Sequence, residues 1–575
     1  MNNQRKLLSV SKLAISFPTA DGELEALKGS SFDLYRGEAL GIVGESGSGK
    51  SMTALSILQL LPSSAVWKSG SIDLFLEEDK PLRINELSPL ELQGIRGNRI
   101  SMIFQDPMSS LNPVHTCGQQ VAEVLMLHEG MSKKAAQLKV YELFEQVKLP
   151  DVERIYSAYP HQLSGGQKQR IMIAMAIATT PDLIIADEPT TSLDVTVQQE
   201  ILRLLIEFKK ELGIGILFIS HDLGVISEIA DRVLVMRKGE IVERGPKENI
   251  LKQPKHPYTQ GLLACRPPLD RRLKRLPTIA DFQANDGEPP APQVYEKADY
   301  QSHLAKLEDN PVILSVKALQ TWYPSKKNFW GKPVDFVKAV DNVSFQMKKG
   351  ESIGLVGESG CGKTTLGKTL IKLIPARSGQ IIFDNADLSA LDEREMRPFR
   401  KKMQIVFQDP FASLNPRKMI GHAIAEPMEQ YFSNLTSAQR KEKTIHLLEK
   451  VGLEPDHFFR YPHEFSGGQR QRVAIARALA VEPDFLICDE SVSSLDVSVQ
   501  AQILNLLTEL REERGLSYIF ISHDLSVVKF MADRMLVMKE GRVVEEGLAD
   551  EVYQQPKTSY TQKLIEAIPD SSLIS

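Results

Sequence analysis

The run Gly44, Glu45, Ser46, Gly47, Ser48, Gly49, Lys50, Ser51 constrains this chain more than any other stretch. It fits the pattern of Gly, four residues, then Gly-Lys-Ser, which is a phosphate-binding loop when a strand precedes it and a helix follows. Residues 38–43 form a short apolar stretch that reads as a buried strand, and residues 52–61 are apolar at helical spacing. Glycines let the backbone wrap an anion, successive N–H groups point inward, and the helix N-terminus adds its positive dipole end. Lys50 would then reach the β/γ-phosphates and the Ser51 hydroxyl would ligate magnesium. Nucleotide binding is the expectation, and the chain sets it out twice.

The signature Leu163-Ser164-Gly165-Gly166-Gln167 returns as Phe465-Ser466-Gly467-Gly468-Gln469, the pair Asp187-Glu188 as Asp489-Glu490, and His221 as His523. The offsets agree, since 466−164, 489−187 and 523−221 all equal 302. The loop itself returns as Gly357, Glu358, Ser359, Gly360, Cys361, Gly362, Lys363, Thr364, followed by Thr365, at an offset of 313. The second copy is therefore about eleven residues shorter after its loop, and extra chain around Leu74–Asn85 in the first copy accounts for the difference. We read domains at 6–266 and 311–570, joined by a linker at 267–310. Each starts with strand-like chain (8–17 and 313–322). In the first copy a helical stretch over 119–147 follows, then strand-like runs at 182–186 and 215–219 flanking a helix at 197–212. Strands alternating with helices predict an α/β fold with a largely parallel core and ligand at the strands' carboxyl ends.

Within the linker, residues 285–292 are turn-forming and Pro-rich, and the basic run Arg271–Arg275 reads as solvated. Each copy closes on a similar segment, His256-Pro257-Tyr258-Thr259 and Thr558-Ser559-Tyr560-Thr561, which reads as a packing element. The net charge of −5 argues against a dedicated nucleic-acid binder. No run of about 18 apolar residues predicts a membrane span, and the N-terminal residues lack a secretion pattern. The four cysteines (Cys117, Cys265, Cys361, Cys488) match no metal-ligand spacing, which fits free thiols in a reducing, cytoplasmic setting.

The order in each copy is phosphate loop, Phe-Gln-Asp-Pro (Gln105 and Gln408), Ser-Gly-Gly-Gln, an apolar strand ending Asp-Glu, and Ser-His-Asp. That order resembles the nucleotide-binding domain of ABC transporters over nearly the whole chain outside the linker. The resemblance implies two tandem P-loop NTPase domains, each a mixed β core with a helical signature subdomain. It implies that ATP lies between the loop of one domain and the signature of the other, so that Ser164 serves the loop at Lys363 and Ser466 the loop at Lys50. Asp187 and Asp489 would bind magnesium with Ser51 and Thr364. Glu188 and Glu490 would orient or deprotonate the attacking water, and His221 and His523 would hold the γ-phosphate in line. Gln105 and Gln408 would approach the metal and the water, and Asp194 and Asp496 would bridge the domains. Phe17 and Tyr323 stand where the family stacks an aromatic on adenine. Neither copy lacks a motif, so two competent sites are expected.

The finer resemblance is to ATP-binding subunits of peptide and nickel importers, on Gln105–Pro113, Gln408–Pro416, Asp187–Val195 and the His-Pro-Tyr-Thr segment. It implies an ATPase peripheral to the cytoplasmic face of the inner membrane. Its partners would be two multi-spanning permeases and an extracytoplasmic substrate-binding protein. Many relatives carry a cysteine cluster after the first domain; this chain has only Cys265 there, so no iron–sulfur cluster is expected. The alternative is a soluble tandem ABC ATPase acting on ribosomes or DNA. The neutral, Pro-rich linker and the absence of zinc-module or coiled-coil insertions weigh against it.

Overall fold

In the computed structural model the described residues are 5–19, 22–77, 80–191, 193–284, 291–327, 333–493 and 495–568. Each copy is built on two sheets. In the first, a six-stranded sheet runs Glu240–Pro246, Arg232–Arg237, Ala39–Val43, Gly215–Ser220, Leu183–Asp187, Ile100–Ile103. All its neighbours are parallel except the Glu240–Pro246 edge. Ala39–Val43, Leu183–Asp187 and Gly215–Ser220 are buried at every residue, as parallel strands covered on both faces must be. A four-stranded antiparallel sheet, ordered Gly22–Tyr35, Lys6–Thr19, Val66–Glu77, Lys80–Arg83, packs on the other side of the helix Lys50–Ile57. Leu13, Ile15 and Leu27 of that sheet form one apolar cluster with Ala54 and Ile57 of the helix and Leu40 and Ile42 of the parallel sheet. The helix that follows the phosphate loop is thus clamped between two sheets, which fixes where its N-terminus points.

The second copy repeats this plan. Its six-stranded sheet runs Met403–Val406, Phe485–Asp489, Ser517–Ile521, Ser352–Val356, Arg534–Lys539, Arg542–Leu548. Part of the length difference between the copies lies in one hairpin. Val66–Glu77 pairs with Lys80–Arg83, whereas its counterpart Ser378–Phe383 pairs with only Ala386–Asp387.

The stretch 119–147 is two helices, Cys117–Glu129 and Lys133–Gln146, not one. Gly130 takes a left-handed φ of 63° at the end of the first, and the Ser132 hydroxyl caps the second. With Gly165–Ile177 they make the helical subdomain, and Ile420–Tyr431, Ser437–Lys450 and Gly467–Leu479 repeat it.

The linker departs from expectation. Asn285–Pro290 of its Pro-rich stretch lie outside the described residues, but the rest carries two helices: Ile279–Ala284 packs on Pro257–Ala264 of the first copy, and Lys297–Asp309 docks on the second, where His303 meets Asp533. The backbone N–H of Leu276 donates to Asn505 Oδ1 at 2.8 Å, and Asn505 Nδ2 donates back to the Leu276 carbonyl at 2.9 Å. Arg271, Lys274 and Arg275 are exposed as expected. Arg272 is not: its side chain is 10% exposed and 3.6 Å from Asp550, its guanidinium lies 4.3 Å from the Tyr300 ring centre, and it donates to the Ala532 carbonyl. A single basic residue in a charged run is buried because a carboxylate, a carbonyl and an aromatic face converge on it. The apolar core accordingly runs on from the first copy through Leu273, Leu276 and Ile279 into Leu504 and Leu507 of the second. Among the described residues no helix is long and apolar enough to cross a membrane.

Candidate active sites

The parallel strands deliver the site residues at their carboxyl ends. Ala39–Val43 runs into the loop Gly44–Ser51, Leu183–Asp187 ends on Asp187 with Glu188 next, and Gly215–Ser220 is followed by His221. A Cβ on Gly44 would lie 2.2 Å from the Met236 carbonyl, and one on Gly357 would lie 2.2 Å from the Met538 carbonyl, so the loop can turn this close to the sheet only without a side chain. The Lys50 ammonium donates to the carbonyls of Gly44 (2.7 Å) and Glu45 (2.9 Å); Lys363 donates to Gly357 and Glu358 at 2.8 Å each. Burial lowers the Lys50 pKa, and the surrounding carboxylates Glu188, Asp496 and Asp187 work against that fall. The Ser51 hydroxyl donates to Asp187 Oδ1 at 3.1 Å and the Thr364 hydroxyl to Asp489 Oδ1 at 2.8 Å. Hydroxyl and carboxylate oxygens brought this close are the donor set a hard divalent cation prefers. Burial pushes Asp187 up to about 6 and raises Asp489 as well.

Glu188 is held from three sides. Gln105 Nε2 donates to Glu188 Oε2 at 3.0 Å, Thr191 Oγ1 donates to it at 2.9 Å, and His221 Nδ1 lies 3.1 Å away. Burial opposes the charge on Glu188, but the hydrogen bond and charge of His221, with Lys50 and Thr191, outweigh it and hold the carboxyl at about 2. The same pairing overcomes burial to raise His221. In the second copy Gln408 Nε2 donates to Glu490 Oε2 at 2.7 Å, while His523 Nδ1 stands off at 3.8 Å from Glu490 Oε1. Both glutamates adopt a left-handed φ, 47° at Glu188 and 45° at Glu490. Such a backbone costs on the order of 1–3 kcal/mol for a residue with a side chain and persists only where its surroundings over-determine it. The N–H of Glu188 donates to the Ile219 carbonyl at 3.0 Å, and that of Glu490 to Ile521 at 2.9 Å, each from the neighbouring strand.

The two copies meet at these sites. The N–H of Ser359, in the second loop, donates to Asp194 Oδ2 of the first copy at 3.4 Å, and the N–H of Ser46 donates to Asp496 of the second. The signature serines are exposed and cap their own helices. Ser164 Oγ accepts from the Gln167 N–H at 3.3 Å and Ser466 Oγ from Gln469 at 3.3 Å, with Gly165, Gly166, Gly467 and Gly468 opening the first turns. Among the described residues, the Ser-Leu-Asp aspartates, and not the signature serines, bond to the loop N–H groups of the opposite copy. Phe17 packs half-buried against the antiparallel-sheet core, and Tyr323 is 39% exposed on the matching strand; each precedes a proline.

Sequence reasoning passed over Thr191 and read Tyr258 and Tyr560 only as parts of packing elements. Tyr258 OH accepts the Glu45 N–H at 3.0 Å, and Tyr560 OH accepts the Glu358 N–H at 3.1 Å. The signal was present: 560−258 is 302, the same register as the motifs. All four cysteines are buried thiols. Burial pushes Cys117 up to about 11 and Cys265 and Cys488 up to about 12.

The ABC transporter family matches residues 27–191 and 340–493, and the oligopeptide/dipeptide transporter C-terminal region matches 242–293 and 544–572. The glutathione import ATP-binding protein GsiA of Salmonella paratyphi A is 45% identical over 573 residues, covering 99% of this chain and 90% of that protein. The protein of the same name from Escherichia coli O6:H1 is 43% identical over 569 residues, covering 98% and 89%.

Proposed function

The chain belongs to the ABC transporter family, and on that premise we propose that it is the ATP-hydrolysing subunit of an importer for small peptides or related solutes. The observation that carries this reading is the Glu188 carboxylate, bonded to Gln105, Thr191 and His221 beside a loop that Asp496 of the other copy also contacts. That is a hydrolytic centre which depends on the approach of both copies. ATP lies with its phosphates against the N–H groups of residues 44–51 and the Lys50 ammonium. Ser51, Asp187 and Gln105 would hold magnesium, which would supply neutralising charge to the phosphates. Glu188, ionised at neutral pH, orients the attacking water and takes its proton. His221 fixes the carboxylate and faces the γ-phosphate. Thr364, Asp489, Gln408, Glu490 and His523 do the same at the second loop.

Closure brings Ser164 towards the loop at Lys363 and Ser466 towards the loop at Lys50, and hydrolysis reopens them. The motion passes to two multi-spanning permeases, which hold the chain at the cytoplasmic face of the inner membrane, with cargo delivered by a substrate-binding protein. The match at 242–293 and 544–572, and relatives whose name is glutathione import, favour a small peptide as cargo. The test is affinity purification of the full chain from detergent-solubilised membranes, with ATPase assayed on the same eluate. Two multi-spanning permeases and activity abolished by Glu188→Gln with Glu490→Gln are the expected result. Ribosomes, DNA or a soluble complex in their place would overturn the importer reading.

A further inference from the structure

The carbonyl of Gly44 and the N–H of Glu45 belong to one peptide unit, and that unit is gripped at both ends. Its oxygen receives Lys50 Nζ at 2.7 Å, and its N–H is received by Tyr258 OH at 3.0 Å. A trans peptide is planar with N–H and C=O on opposite sides, so a group that fixes one end fixes the aim of the other. The second copy repeats the arrangement, with Gly357 O on Lys363 Nζ at 2.8 Å and the Glu358 N–H on Tyr560 OH at 3.1 Å. We propose that Tyr258 and Tyr560 are positioning residues for ATP binding: each phenol sets the peptide plane whose carbonyl steers the phosphate-loop lysine.

The tyrosines are themselves held in place. Tyr258 is 1% exposed, and the Arg237 guanidinium lies 5.0 Å from its ring centre; Lys539 lies 5.1 Å from that of Tyr560. The turn before each tyrosine is fastened by one carboxylate. Glu243 accepts the N–H groups of Lys255 (2.8 Å) and His256 (3.2 Å), and Glu545 those of Lys557 (2.8 Å) and Thr558 (3.1 Å). Four anchors recur in both copies although the loop and the closing segment stand at different offsets, 313 and 302. A packing aromatic needs none of this: Phe would fill the space and leave the loop N–H without its acceptor. Burial also holds both phenols protonated, so the hydroxyl persists at any working pH. At the first site the relay reaches the other copy, because Ser498 donates to the Glu45 carboxylate.

This inference rests on reading residues 44–51 as the ATP loop. The test is MgATP titration of the full-length chain carrying Lys363→Ala, which leaves the first loop as the binding site, with and without Tyr258→Phe. Affinity should fall about five- to tenfold, the scale of one hydrogen bond, while the melting temperature without nucleotide is kept. Hydrogen exchange over residues 38–50 should speed up in the same variant. Tyr560→Phe in a Lys50→Ala chain should do the same at the second loop. Unchanged affinity with unchanged exchange would overturn the proposal, as would a lower melting temperature without a change in loop exchange. Lys50→Ala in the Lys363→Ala chain separates the two readings: if MgATP still binds, the loop assignment has failed and not the tyrosine.

Discussion

The Thr191 hydroxyl donates to the Glu188 carboxylate at 2.9 Å, whereas Ser493, at the matching position of the second copy, donates to the backbone carbonyl of Glu490 at 3.0 Å. The motifs are equal and the carboxylates are not equally held. A hydrogen bond to a charged group contributes about 1.5–3 kcal/mol. Thr191→Val in a Glu490→Gln chain should therefore cut turnover at the first site about tenfold or more. Ser493→Ala in a Glu188→Gln chain should change the second site by less than about threefold. Single-site kcat values check this, and equal losses in both would refute the asymmetry.

Glu188→Gln and Glu490→Gln keep side-chain size and the left-handed backbone but remove the proton acceptor. Each should lower turnover at its own site by about 100-fold or more, in line with loss of a general base. Bound ATP should be retained, because Lys50 and the loop N–H groups are untouched. Nucleotide trapping alongside steady-state ATPase distinguishes lost chemistry from lost binding.

Asp194 has two duties. Its Oδ1 accepts the Val197 N–H at 3.0 Å and caps the helix Val195–Leu212, while Oδ2 crosses to Ser359. Asp194→Ser keeps a capping hydroxyl but is too short to cross. Turnover at the second loop should fall several-fold, by about the value of one lost bond, with the melting point retained. An equal fall at the first loop would mean that the effect spreads through the fold and not through the crossing bond.

Much of this was legible in the sequence because phosphate binding and water activation need particular residues at particular spacings. The loop, the Asp-Glu strand end and the histidine announce themselves for that reason, and alternating apolar strands and helices gave the α/β core. What stayed hidden depends on partners distant in the chain. Tyr258 looks like packing until Glu45, 213 residues away, donates to it. Arg272 looks solvated until Asp550, Tyr300 and the Ala532 carbonyl converge on it. Gly130, which splits the helical stretch, was the miss that local chemistry could have caught.

Arg266 and Gly224 fit each other. A Cβ on Gly224 would lie 1.8 Å from Arg266 Nη1, whose guanidinium reaches within 3.7 Å of Asp222 beside His221. In the second copy Ser526 fills that space and donates to Asp524 at 2.6 Å, and Ile568 stands where Arg266 would be. Gly224→Ser alone should turn the Arg266 guanidinium, the free end of its side chain, away from Asp222 and cost no more than about 1 kcal/mol. Adding Arg266→Ile, which rebuilds the second copy's pair, should recover most of it. A double-mutant cycle by urea unfolding should give a coupling of more than about 0.5 kcal/mol; simple additivity would show that the two positions are independent.

The linker's hold on the second copy carries a pH signature. Asp533 accepts from Arg511, from the Ser352 N–H at 2.9 Å, and lies 3.2 Å from His303 of the linker helix, with its side chain 3% exposed. Its counterpart Asp231 pairs with Lys209 at 2.7 Å but is 51% exposed. Burial opposes the charge on Asp533, yet Arg511, His303 and Arg272 outweigh it and hold the carboxyl at about 2, below its ordinary 3.8. A depressed carboxyl adds stability that is present above the unfolded value, about 4, and is lost as pH falls through the folded one. At about 1.4 kcal/mol per pH unit, the pairing contributes roughly 2 kcal/mol at neutral pH. Asp533→Asn should lower stability to urea by at least that much at pH 7, since it also strands Arg511, with the gap narrowing from about pH 4 towards pH 2. Asp231→Asn, screened by solvent, should cost less than about 1 kcal/mol at pH 7. A gap at Asp533 that does not change with pH would mean that the loss is one of shape and not of charge.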